Sequence, residues 1–530
     1  MNYAWVIDQT KCIGCHACST ACKAENDVPL GVHRTWVKAV EVGQFPNVRR
    51  HFAVLRCNHC ADPPCVHICP VNAMFQRDDG IVDIAHDRCI GCKACIQACP
   101  YDAIHIDPVE NTVAKCHFCA HRIDKGLLPA CVVVCPVEAL VFGDMDDPQS
   151  RVSRYIGSTA MTVRRPEQNT RPKAFYVGAH AATLDPLAAA HEDAYMWSER
   201  RTGTAKDYSA NFSVWSLLRS PTNNNRTKRS KPSSGNGRVP RSRMPQARVA
   251  YDVHHLIAWK GKVSSYLWTK SISAGSAFVG AAALLLGFDA ADVLLSNVAP
   301  VVALMALAIT GALLVADLKR PERFWFILFK PQWRSWLTKG AYIISAFGAV
   351  VSIWLLFELT GRQPPTAVLW ISLALGFSTA VYTAFLFAQC EARDLWQSAH
   401  VGPSLTIQMI IAGSASLLFL GLFFPTTPEV IDFLSNILLA GLAAHLVSVL
   451  VGEVAARHGS SNAAAAAHVM TKGRYAPLFW GSLAAGVVIP GLLLLTTAGI
   501  APPLASGLAL VGLLAYEHAF VMAGQAVPVS

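Results

Sequence analysis

Cys89-Ile90-Gly91-Cys92-Lys93-Ala94-Cys95-Ile96-Gln97-Ala98-Cys99-Pro100 decides the first part of the fold. Three cysteines spaced by two residues wrap a tight loop around one iron–sulfur cube, each thiolate reaching a different iron. The fourth, three residues on, points away to a neighbouring cube. The pattern recurs as Cys12, Cys15, Cys18 and Cys22; two variants, Cys57, Cys60, Cys65 and Cys69, and Cys116, Cys119, Cys131 and Cys135, have a Cys-x-x-Cys pair leading to a later Cys-x-x-x-Cys. Sixteen of the 17 cysteines fall in these motifs. That is the count for four [4Fe-4S] clusters with four thiolates each, and it implies a chain that carries electrons.

A nested duplication would pair the motifs crosswise. Cys12, Cys15 and Cys18 would take Cys135, and Cys116, Cys119 and Cys131 would take Cys22. Cys57, Cys60 and Cys65 would take Cys99, and Cys89, Cys92 and Cys95 would take Cys69. The result would be two ferredoxin-like units holding two clusters each. The prolines after Cys69, Cys99 and Cys135 are expected to open helices; the first motif has Lys23 there. Tetrahedral zinc uses two Cys-x-x-Cys pairs and leaves tandem triplets idle. Disulfides would need an oxidising compartment, and no export segment is read ahead of Cys12. The string Cys12-Ile13-Gly14-Cys15-His16 spells a haem c attachment site but lies inside a complete cluster motif. Cys390, alone at the end of an apolar segment, reads as inert.

Hydrophobic residues make up 53% of the 530, charged ones only 15%, more apolar than a soluble protein. The excess lies after about residue 271. Apolar runs long enough to cross a bilayer recur near 271–288, 298–316, 340–358, 366–388, 403–424, 432–452, 476–498 and 502–523. The expected architecture is an α+β double ferredoxin-like iron–sulfur domain over 1–200, then a basic flexible linker and pre-membrane segment over 201–262. An all-α membrane bundle of about eight transmembrane helices follows over 263–530. Residues 220–245, rich in Arg, Lys, Ser, Pro and Asn, suit a tether. The net charge of +10 reads as attraction to anionic lipid, with no nucleic-acid partner.

Basic residues crowd one set of loops, among them Lys319, Arg320, Arg323, Lys330, Arg334, Lys339, Arg457, Lys472 and Arg474; the opposite loops offer chiefly Arg362. Positive-inside therefore expects the clusters and the carboxyl-terminal end in the cytoplasm, on an inner-membrane protein. Polar residues inside the spans gather in the same leaflet: Asp317, Tyr382, Gln389, Gln408, His445, Glu453, Glu517 and His518. Ionisable groups there are costly and mark sites or proton paths. Asp317, Tyr382, His445, Glu517 and His518 are the candidates for a quinone site, ubiquinone or menaquinone, with His254 and His255 as roof residues.

The four-motif block, with Arg165-Pro166-Glu167-Gln168-Asn169-Thr170-Arg171-Pro172-Lys173-Ala174-Phe175-Tyr176 behind it, resembles the iron–sulfur subunits of the dimethyl sulfoxide and polysulfide reductase type. The membrane half resembles the polysulfide reductase (NrfD-like) membrane anchors, best at Asp317-Leu318-Lys319-Arg320-Pro321-Glu322-Arg323-Phe324-Trp325 and Pro331-Gln332-Trp333-Arg334-Ser335-Trp336. In those families the two parts are usually separate proteins; here they are joined. The resemblance implies an electron-transfer and anchor subunit that links a molybdopterin (Mo or W) catalytic subunit to membrane quinone, with substrate chemistry in the partner. Two other readings are a quinol-oxidising component of a cytochrome-linked, alternative complex III-like assembly, and an inert anchor for the clusters. Copurified molybdenum or tungsten, copurified haem c, and the absence of quinone would separate the three.

Overall fold

The computed structural model describes residues 1–190, 247–255, 257–496 and 500–530. The expected tether 220–245 lies outside the described residues. In the iron–sulfur part, β1 (Tyr3–Asp8) precedes the long hairpin of β2 (Thr35–Gln44) and β3 (Asn47–Arg56). Two three-residue hairpins follow, β4 (Met74–Gln76) with β5 (Val82–Ile84) and β6 (Ile104–Ile106) with β7 (Val113–Lys115), one after each inner motif. Strands β8 (Leu140–Asp144), β9 (Met161–Thr162) and β10 (Ala174–Val177) complete a four-stranded sheet of order β8-β1-β10-β9. Here β1 runs parallel to β10, with Trp5 opposite Ala174. β11 (Ala247–Tyr251) comes from the pre-membrane segment and pairs antiparallel with β2, so the approach to the membrane is stitched into the cluster domain.

The prolines differ from expectation. Cys65, Cys95 and Cys131 sit in short helices (Pro64–His67, Ala94–Ala98 and Ala130–Val133), and Pro70, Pro100 and Pro136 stand in the turns after them. A ring without an N–H serves better as a stop than as a start once the cysteine has been delivered. The first motif shows the converse. Its helix runs on from Ala17 through Cys22 to Glu25, a course that a proline at 23 would break. Lys23 continues it and donates from Nζ to the carbonyls of Pro29 and Val32.

Eight long helices form the bundle among the described residues: α1 (Gly261–Leu285), α2 (Leu294–Asp317), α3 (Trp336–Leu359), α4 (Thr366–Ala388), α5 (Val401–Leu420), α6 (Pro428–Ala455), α7 (Ala476–Leu494) and α8 (Ala501–Gly524). Seven of them, α2 to α8, are long and apolar enough to span a membrane. α1 starts at Gly261, ten residues before the expected 271, and its sequence explains the discrepancy. It is buried at 16 of its 25 positions, among them Ser264, Thr269, Lys270, Ser271, Ser273 and Ser276, facing neighbouring helices rather than lipid. Its glycines are contacts, not interruptions. A Cβ on Gly275 would lie 2.0 Å from the Met409 carbonyl, and one on Gly413 would lie 2.2 Å from the Gly275 backbone. Backbones of α1 and α5 touch there, as small residues allow in membrane bundles. One continuous apolar core runs from Trp5 through the cysteines to Tyr516.

Candidate electron-transfer and quinone site

Folding brings the cysteines together crosswise. Cys22, Cys116, Cys119 and Cys131 line one space of about 260 Å³, partly open to solvent. Cys57, Cys60, Cys65 and Cys99 line another of about 320 Å³. Cys12 neighbours Cys15 and Cys135, and Cys69 neighbours Cys89, with Cys92 and Cys95 beside both. Cys18 is near Cys131, Cys116 near Cys57 and Cys95 near Cys65, so the quartets follow one another in a line. Among the described residues no three His, Cys, Asp or Glu side chains converge on a single-ion site. Burial pushes several of the thiols up, Cys22, Cys92 and Cys99 to about 12. They would give up protons only to a strong metal charge, and the donor set suits iron–sulfur cubes.

The quartet of Cys69, Cys89, Cys92 and Cys95 lies against the membrane bundle. A strap leaving α2 grips its loop. Lys319 N donates to the Gly91 carbonyl and Arg320 N to that of Ile90, both at 3.2 Å. Arg323 Nη1 donates to Cys89 O at 2.9 Å. Gly91 sits so close that a Cβ would lie 2.5 Å from that of Lys319, and its φ of 66° suits glycine. Asp317, the last residue of α2, pairs with Lys93 at 2.7 Å. Below, Ser335 Oγ donates to Ile68 O and Thr338 Oγ1 to Pro70 O. The Asp317–Trp325 and Pro331–Trp336 stretches are therefore the docking surface for this quartet. Trp259 Nε1 donates to Cys92 O at 3.2 Å. Its ring stacks on Trp396 (5.6 Å, 18°), and Trp396 stacks on Phe387 (4.8 Å, 22°).

Phe387 is a wall of a pocket in the membrane half. Leu267, Val401, Leu405 and Phe520 supply further apolar sides, and Ser404, Gln408, Glu453, Tyr516 and Glu517 are among its polar groups, with His400. Gln408 donates from Nε2 to Ser404 Oγ at 3.0 Å. Gln408 Oε1, Glu453 Oε2 and both oxygens of Glu517 are buried without a protein partner among the described residues. Such groups are costly in a dry interior unless a ligand or water meets them. His400 is exposed at the rim.

Of the residues expected from sequence, Glu517 lines the pocket. His445 is one layer behind, its ring edge-on to Tyr516 at 4.8 Å, with Nδ1 unpartnered. Asp317, Tyr382 and His518 do not line it. Tyr382 packs against Gly340 and under Lys270, and His518 Nδ1 is 2.9 Å from Ser264 Oγ. His254 is exposed. His255 pairs with Asp102 and, at 3.6 Å, with Asp252; it clamps the pre-membrane segment to the cluster domain instead of roofing the pocket. Sequence reading missed His400, Ser404, Tyr516 and Lys270. Lys270 is wholly buried, donating to Ala380 O at 3.0 Å and to Thr383 Oγ1, within reach of the Glu517 charge. Starting the helix at 271 hid it.

Residues 48–145 match the 4Fe-4S dicluster domain. Residues 252–529 match the polysulphide reductase NrfD family, and this protein belongs to that family. It is a multi-pass membrane protein that joins an iron–sulfur electron-transfer domain to an NrfD-type anchor. It is similar to a tetrathionate reductase subunit of Salmonella typhimurium, 44% identical over 202 residues, 37% of this chain and 80% of that protein. A polysulfide reductase component of Wolinella succinogenes is 41% identical over 179 residues, 33% of this chain and 94% of that protein. Protein NrfC of Escherichia coli K12 is 43% identical over 180 residues, 33% and 81% respectively.

Proposed function

We propose that the chain is the electron-transfer and quinone-reactive subunit of a respiratory reductase complex, passing electrons between a molybdopterin-type catalytic subunit and membrane quinone. Each cysteine quartet holds one [4Fe-4S] cluster, four in all. The observation that carries the reading is the pocket with unpartnered Glu453 and Glu517, one aromatic stack away from the Cys92 loop. When bound, the clusters carry single electrons and the quinone carries two electrons with two protons. Leu267, Phe387 and Phe520 hold an apolar ring and exclude water. Tyr516 and Gln408 are placed to hydrogen-bond its carbonyl oxygens. Glu453 and Glu517 take up or return the two protons, and His400 connects the pocket with the medium. Lys270 steadies the charge left on Glu517.

At the far end Cys15 is exposed, as are Ile13, Leu127, Leu128 and Val133. An apolar patch around the last quartet suits a docked redox partner. The basic loops support a cytoplasmic location for this end. The test uses the purified complex with Glu453→Gln and Glu517→Gln. Quinone-linked turnover should fall by roughly 10²–10⁴, the usual contribution of positioned proton-transfer groups. Iron near about 16 atoms per chain and dye-linked activity should be unchanged. Full quinone turnover in both variants would move the site elsewhere, and a complex without molybdenum or tungsten would remove the proposed partner.

A further inference from the structure

Arg56, the last residue of β3, is completely buried. Its guanidinium lies over the Trp5 ring at 4.3 Å and donates from Nη1 to Cys131 Sγ at 3.2 Å. Cys18 and Cys116 are also within reach of its charge. Cys18 belongs to the outermost quartet, Cys116 and Cys131 to the second, so a single cation stands between two cluster sites. Arg56 lines the space enclosed by the second quartet. Its Nε and Nη2 have no protein partner, and no carboxylate forms an ion pair with it among the described residues.

Two other buried cations beside the cysteine quartets are spent on protein groups. Lys115 donates from Nζ to the carbonyls of Val82 and Cys116, and Lys93 is neutralised by Asp317. Arginine does not release its proton, so Arg56 cannot escape burial by becoming neutral. An uncompensated guanidinium in a dry interior needs an anion, and its free N–H groups share the space that the thiolates surround. A cube with four thiolates is such an anion, and it gains one more negative charge when it takes an electron.

We propose that Arg56 sets the potentials of the two outer clusters, its free N–H groups donating to sulfur of the second cluster and its charge favouring the reduced form of both. One electron enters each cluster from its neighbour and later leaves to the next; no proton moves and no bond to iron changes. The charge between the two sites also screens the repulsion between two reduced cubes, so that both can hold an electron at once. Hydrogen bonds to sulfur and local net charge are the levers that move such potentials.

The inference rests on the reading that each quartet holds a cube, and is independent of the quinone pocket. The experiment is a mediator-controlled redox titration of the whole complex followed by electron paramagnetic resonance, for the wild type, Arg56→Lys and Arg56→Gln. In Arg56→Gln the equilibrium constant for reducing each of the two outer clusters should drop by about tenfold or more, a lowering of about 59 mV for a one-electron couple. The two clusters nearer the membrane should titrate as before. Arg56→Lys keeps the charge and loses the fork, so it should shift the second cluster more than the first. It also serves as the test if the Gln variant fails to load iron. Wild-type potentials in an iron-replete variant would overturn the proposal and leave Arg56 as packing for Trp5. A wild-type iron content of about 12 atoms per chain would instead remove the four-cluster reading beneath it.

Discussion

Asp317→Asn separates two roles for one carboxylate: proton carrier at the quinone, or anchor for the cluster loop. The Asp317 and Lys93 side chains are 17% and 7% exposed and 2.7 Å apart. Removing one partner of a fully buried pair costs about 3–5 kcal/mol, because the other charge stays behind unpaired. The water that still reaches Asp317 brings this to about 2 kcal/mol. At about 1.4 kcal/mol per tenfold, the seam between α2 and the cluster loop should open roughly 30 times more often. Hydrogen exchange read by mass spectrometry should show faster exchange across residues 86–95 and 317–325 in the detergent-solubilised complex. Lys93→Met should give a similar change. In the double variant the second substitution should cost about 1–2 kcal/mol less than in the wild type, so that exchange and quinone-linked turnover should change little beyond the single variants. If exchange is unchanged in Asp317→Asn while turnover disappears, and Lys93→Met leaves turnover intact, Asp317 acts on the quinone and the anchoring argument is wrong.

Trp396→Leu interrupts the stack between Trp259 and Phe387. Quinol-driven bleaching of the nearest cluster should slow by about tenfold, as a small geometric gap can, with dithionite reduction and quinone-analogue binding unaltered; an unchanged rate would mean that electrons take another route. His255 governs a pH dependence. Burial alone would lower its imidazole, but Asp102 and then Asp252 outweigh this and hold it up to about 10. The stability it contributes is thus complete below about pH 6.5, fades above that, and is gone once the pH passes about 10. The temperature of cluster loss should fall between pH 6 and 9.5 in the wild type and fall less in His255→Gln; parallel profiles would dismiss the clamp. For topology, reporters inserted at Gly361 and Gly459 should report opposite compartments, with Gly459 cytoplasmic. Ser530 is only 3% exposed and makes a poor fusion point.

What was legible in the sequence was what local spacing or a long apolar run encodes. The cysteine motifs announce their ligands because a cube constrains residues only a few positions apart, and crosswise pairing then follows from the fourth cysteine pointing away. Helices facing lipid announce themselves by length. α1 announced only its part beyond 271, because Ser264, Thr269 and Lys270 face protein, where hydropathy no longer tracks membrane depth. The pocket was only half legible. Glu517 stood out as a charge inside a span, whereas Tyr516 and His400 join it only once α5, α6 and α8 are packed. Asp317 was conspicuous for the same reason as Glu517, yet its partner, Lys93, lies 224 positions away, a relation no local pattern records.

The order of synthesis gives the carboxyl-terminal segment a consequence of its own. Gln525 accepts from Gln97 beside the membrane-facing quartet, and Val529 O accepts from Arg164 at 3.0 Å. Residues that close over the cluster domain are thus made after all eight long helices, hundreds of positions later than the loops they cover. The iron–sulfur loops emerge early and stay uncovered on this side while the helices are threaded into the bilayer. That interval ends when the residue after α8, Gln525, settles against Gln97.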